Sequence, residues 1–127
     1  MAEDMRSKRP LSPHLTIYRP QMTSMSSILV RISGNALLVG FAMVVWWLLA
    51  AASSAGYFAV ADGFVQSWFG QFIILGSVWA LWYHLLGGLR HLIWDQGKML
   101  ELEQAEKLGW AAIVGSVVLT ALTYVIV

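Results

Sequence analysis

The stretch 32-ISGNALLVGFAMVVWWLLAAASSAGYFAVA-61 runs for 30 residues without a charge, and its reading decides the fold class. A helix crosses a bilayer in about 20 residues, so this run is long enough to span one. Two more follow, 27 residues at 63–89 and 20 at 108–127. Across all 127 residues, 58% are hydrophobic and 12% charged, against about 45–50% and about 25% in soluble domains. A soluble domain is therefore excluded. The expected fold is an all-α integral membrane protein with three transmembrane helices, up-down-up, at about 27–55, 66–94 and 108–124.

Residues 1–26 form a polar leader with four basic residues (Arg6, Lys8, Arg9, Arg19), two acids and all three prolines; the three-helix anchor domain is expected over 27–127. Reading the leader and first span as a secretory signal fails, because the apolar run exceeds the usual 7–15 residues by about twofold. A mitochondrial transit peptide is disfavoured by Glu3 and Asp4. The loop between the first two spans holds Asp62 and no Lys or Arg, whereas the leader and the second loop, with Lys98 and Lys107, are basic. The positive-inside rule then puts the N-terminus in the cytoplasm and the C-terminus in the periplasm of a bacterial inner membrane. Tyr57, Trp68, Trp94, Trp110 and Tyr124 fall at the expected interfaces, as in any such protein. Eight Lys and Arg against seven Asp and Glu leave no basic cluster for nucleic acid. With no cysteine, the chain supplies no disulfide and no iron–sulfur cluster.

Polar groups inside the spans are costly and need a reason. Ser27, Arg31 and Asn35 recur at i, i+4, i+8, along one face of the first helix. Arg31 either snorkels to the headgroups or joins Ser27 in donating to a carbonyl or carboxylate oxygen of a ligand. On the second helix, Gly76, Ala80, His84, Gly87 and His91 follow at steps of 4, 4, 3 and 4. Such a stripe permits close helix packing or the approach of something flat. His84 stands 11 residues before Asp95, roughly 16 Å below the boundary at 1.5 Å per residue. At that depth an imidazole is either hydrogen-bonded to a neighbouring helix or bound to a metal such as haem iron. His84 and His91 lie about 10 Å apart along the axis, too far to share one iron, whose two imidazole nitrogens stand roughly 4 Å apart. His14 lies in the leader, so a bis-histidine haem needs its second histidine from another polypeptide. His91 is placed to join Arg31 near haem propionates or a quinone head, and Arg90, turned away from the stripe, is expected to be an interfacial anchor.

These residues resemble the cytochrome b membrane-anchor subunits of succinate dehydrogenase. The likeness rests on 9-RPLSPHL-15 with 18-YRP-20, on 26-SSILVRISG-34, and on 84-HLLGGLRHL-92 through Asp95. It implies a subunit that, with a second small hydrophobic anchor subunit, holds haem b and attaches an iron–sulfur subunit and a flavoprotein subunit to the membrane. His84 then corresponds to the axial haem ligand, Ser27 and Arg31 to quinone-site residues, and the second anchor subunit supplies the other histidine. The chain departs from the family pattern at Val30, where histidine is common, which puts the polar lining of the site in question. The implied reaction is reduction of ubiquinone by electrons from succinate, with fixed donors where charge develops. The same architecture also serves a quinol:fumarate reductase, and a purely structural anchor without haem is a third reading.

Overall fold

The computed structural model describes His14 and residues 16–127, and the part of the leader at residues 1–13 and Leu15 lies outside the described residues. Four helices follow one another: α1 (Met22–Ser53), α2 (Ala55–Gln66), α3 (Trp68–Asp95) and α4 (Leu102–Ile126). Of these, α1, α3 and α4 are long and apolar enough to cross a membrane, with mean hydropathies of 2.1, 1.6 and 1.9. The chain is an all-α membrane protein in which α3 packs against both α1 and α4.

Both outer spans are longer than their apolar runs. α1 starts at Met22, just after Pro20, where the Ser24 hydroxyl accepts the Gln21 N–H at 3.3 Å and is itself held by Tyr18 Oη at 2.6 Å. α4 starts at Leu102, and its first turns carry the exposed Glu103–Lys107 pair at 2.6 Å. Such a pair adds little stability, but its charges hide this end of the helix from a hydropathy reading. The first connection, expected as a loop, is the helix α2. Ser54 and Ser67 cap α2 and α3 by accepting the N–H groups of Tyr57 and Gly70 at 3.2 and 3.1 Å, the usual service of an N-cap serine. Two tryptophans of α1 hold α2 in place: Trp46 Nε1 donates to Tyr57 Oη at 2.8 Å and Trp47 Nε1 to Asp62 at 3.1 Å. α3 ends in a Schellman motif. There Gly97 takes φ +71°, its N–H bonds to Trp94, and the Lys98 N–H bonds to Ile93.

The interior is made of small residues and the exterior of large apolar ones. Gly40, Ala50, Ala80, Gly87, Gly109, Ala112 and Ser116 are buried, while Leu38, Phe41, Phe72 and Val125 are exposed. Lipid tails are as apolar as leucine, so helices here gain by backbone approach rather than by hiding oil from water. One close seam is at Gly87, where an added Cβ would run into the Val30 side chain. Gly87→Ala is expected to cost about 1–3 kcal/mol by overpacking, and Val30→Ala in the same chain to restore most of it. Thermal unfolding of the detergent-solubilised protein measures both; a single variant that melts like wild type would rule out a tight seam.

Candidate functional site

Of the three histidines, His84 alone is half-buried, His14 and His91 being exposed. Its Nδ1 lies 3.0 Å from the Val30 carbonyl and 3.3 Å from Ser33 Oγ. Ser33 Oγ spends its own proton on the same carbonyl at 2.8 Å. A carbonyl only accepts, so Nδ1 carries the hydrogen and the lone pair stands on Nε2. Gly34 makes room for the ring, since a Cβ there would meet His84 Cε1 at 3.0 Å. One turn along α3, a groove of about 330 Å³ runs between α1 and α3, with Ser33, Ala36, Gly76 and Ala80 among its lining.

The other expected residues are spread more loosely. Ser27 is half-buried and Arg31 exposed, both on the α1 segment around Val30. Asn35 turns back on its own helix, donating to the Arg31 carbonyl at 3.0 Å, and so is not part of a donor row with them. His91 bonds the Gly87 carbonyl at 2.8 Å and meets Trp94 edge-on. Among the described residues no hydrogen bond joins it to Arg31 or Ser27. The stripe of small residues also divides by burial: Ala80 and Gly87 are buried in the helix seam, whereas Gly76 and His91 are exposed. At 3.6 residues per turn the five stay within about 80° of one another, so the stripe keeps one face and its exposure differs along the helix, the two ends being open and the middle covered.

Arg90 is the clear correction. Expected as an interfacial anchor, it is only 2% exposed. Its Nη1 donates to Ser26 Oγ at 2.7 Å, its guanidinium lies 4.5 Å from the Trp94 ring centroid, and Gly109 of α4 gives it space. The buried Tyr83 adds a second bond to the same residue, from Oη to the Ser26 carbonyl at 3.1 Å. Sequence reasoning missed Ser26, Tyr83 and Arg90 together. The available signal was the spacing of Ala80, Tyr83, Gly87 and Arg90 at 3, 4 and 3, the buried face of α3.

The succinate dehydrogenase/fumarate reductase transmembrane subunit family matches residues 5–123. The chain belongs to this family. It is 54% identical over 126 residues to the succinate dehydrogenase cytochrome b556 subunit of Paracoccus denitrificans, covering 99% of this chain and 97% of that one. It is also 38% identical over 123 residues to the subunit of that name from Rickettsia conorii, covering 97% and 96%. With the succinate dehydrogenase cytochrome b560 subunit of Reclinomonas americana it shares 34% over 132 residues, covering 97% and 89%.

As a transmembrane subunit of this family, the chain brings to its centre one imidazole with an assigned proton and an open nitrogen. Among the described residues no group of three or more His, Cys, Asp or Glu is placed to hold a metal ion. Gly34→Val is expected to push the ring off the Val30 carbonyl. Nitrogen NMR of the detergent-solubilised chain with labelled histidine tests this: His84 should be protonated at Nδ1 in the wild type and lose that preference in the variant.

Proposed function

We propose that this chain is the cytochrome b membrane-anchor subunit of a succinate:ubiquinone oxidoreductase. In this reading it holds haem b with a second small hydrophobic anchor subunit and forms part of the site where ubiquinone accepts electrons from the iron–sulfur subunit, with the flavoprotein subunit beyond it. The single observation that carries the reading is His84. Metal-bound histidines usually donate their other ring N–H to a carbonyl, which fixes the ring and raises the basicity of the ligating nitrogen. His84 has that arrangement through Val30 before any metal is added. About two turns along α3 the groove between α1 and α3 is open enough for a flat group, since an added Cβ at Gly76 meets nothing within 4 Å. When bound, haem supplies a reversible one-electron store. With one ligand from this chain, the second axial histidine comes from the partner subunit.

Ser27 and Arg31 are the donors for the quinone. As electrons arrive, negative charge grows on a quinone carbonyl oxygen, and a hydroxyl and a guanidinium held near it lower the energy of that change. Two electrons and two protons, the latter drawn from the aqueous side, complete the quinol. His91, exposed at the same end of α3, and Arg31 are the candidates for haem-propionate or quinone-pocket contacts. The basic leader and second loop support an N-terminus in the cytoplasm and a C-terminus in the periplasm of a bacterial inner membrane. The succinate dehydrogenase names of the relatives support succinate oxidation over fumarate reduction.

Two sets of variants test the reading. His84→Ala is expected to give an assembled complex whose reduced-minus-oxidised spectrum has lost its b-type band; an unchanged band removes His84 as the ligand. Ser27→Ala and Arg31→Leu are expected to lower quinone reduction about tenfold or more, the scale of losing a hydrogen bond to developing charge. Near wild-type activity in both would end the quinone-site assignment.

A further inference from the structure

Three side chains of α3 reach one short segment of α1. Tyr83 Oη and Arg90 Nη1 both end on Ser26, at its carbonyl and its hydroxyl, and His84 Nδ1 ends one turn later on Val30. Ser26 Oγ in turn donates to the Thr23 carbonyl at 3.0 Å. A single hydrogen bond between two helices leaves them free to roll about it. Two bonds to different atoms of one residue, with a third a turn away, fix both the rotation and the sliding of α1 against α3. Ser26 is next to Ser27, and Ser27 shares a face with Arg31 four residues on, so whatever sets the azimuth of Ser26 sets theirs.

We infer that Arg90, acting through Ser26 and seconded by Tyr83, is a positioning residue for the quinone donors Ser27 and Arg31, an inference that rests on the quinone-site reading above. A buried guanidinium is costly and an apolar side chain of the same size often packs as well. What an apolar residue cannot do is select one rotation of α1. Helix ends fray more readily than helix middles, and Ser26 and Ser27 lie near the start of α1. Arg90 sits where three helices meet, bonded to α1, stacked on Trp94 of its own helix and backed by Gly109 of α4. It therefore ties the N-terminal end of α1 to the rest of the bundle.

The test uses the assembled complex. Arg90→Met and Ser26→Ala are each expected to lower kcat/KM for quinone about tenfold, the size of one hydrogen bond to a charged group, while the b-type band keeps its wild-type intensity. The double variant should be no worse than the worse single one, because both remove the same bond. Arg90→Lys, which still donates to Ser26 Oγ, should recover most of the affinity. An assembled Arg90→Met complex with wild-type kcat/KM overturns the inference. Ser27→Ala and Arg31→Leu separate the two layers: a lowered kcat/KM there beside an unchanged one in Arg90→Met defeats the positioning role alone, whereas unchanged values in both defeat the quinone reading and the positioning role with it. Should Arg90→Met fail to assemble, Tyr83→Phe and Arg90→Lys carry the comparison. Parallel loss of kcat and of the haem band in those variants would mark a general structural element and overturn the inference.

Discussion

Tyr83, His84 and Arg90 of α3 donate hydrogen bonds to Ser26 and Val30 of α1, and the candidate site hangs on that contact. Inside a bilayer no water completes a polar group that misses its partner, so a buried tyrosine, imidazole or guanidinium must find an acceptor on protein. The acceptors found here lie within five residues of a single helix; Arg90 is served only at Nη1, its buried Nε and Nη2 having no partner among the described residues. The consequence is that α1 and α3 cannot be shifted by a turn without stranding all three donors at once. The same contact assigns the His84 proton, so the bond that aligns the helices also leaves one ring nitrogen open for a metal.

The packing around this contact follows from its shortness. For Tyr83 and His84 to reach α1 the helices must come close, and at Gly34, Gly40 and Gly87 a side chain of the other helix fills the space a Cβ would take. Small residues line the seams and large apolar ones point away from them, the reverse of a soluble core. Such an arrangement gives up the hydrophobic drive between helices and relies on dispersion and polar bonds instead. That is why one overlarge side chain at Gly87 matters more than the loss of a leucine from the outer face.

The three spans were legible because charge-free runs of this length have no other stable home. The depth of His84 was legible too, since it stands 11 residues before Asp95. α2 was not, since a 12-residue helix with two glycines and one aspartate reads as a loop until Trp46 and Trp47 are seen to reach Tyr57 and Asp62. Arg90 was misread for a similar reason. An arginine near the end of an apolar helix snorkels by default, and what buries this one is Ser26, 64 residues away in sequence, together with Gly109. Periodicity on one helix tells which residues share a face; it does not tell which face another helix covers.

Val30 raises the remaining point. The family that the chain resembles commonly has histidine there, and its absence put the polar lining in question. The side chain of Val30 lies against Gly87, inside the α1–α3 seam, while the atom of Val30 that serves the site is its backbone carbonyl. A backbone acceptor is indifferent to the side chain that carries it, provided the helix keeps its register. A valine fills the space over Gly87 with no further polar group to satisfy, whereas an imidazole in the same seam would bring ring nitrogens that need partners of their own. The substitution therefore removes a polar group from the interface while leaving intact the acceptor that orients His84, and Ser27 and Arg31, which share another face of α1, do not depend on it.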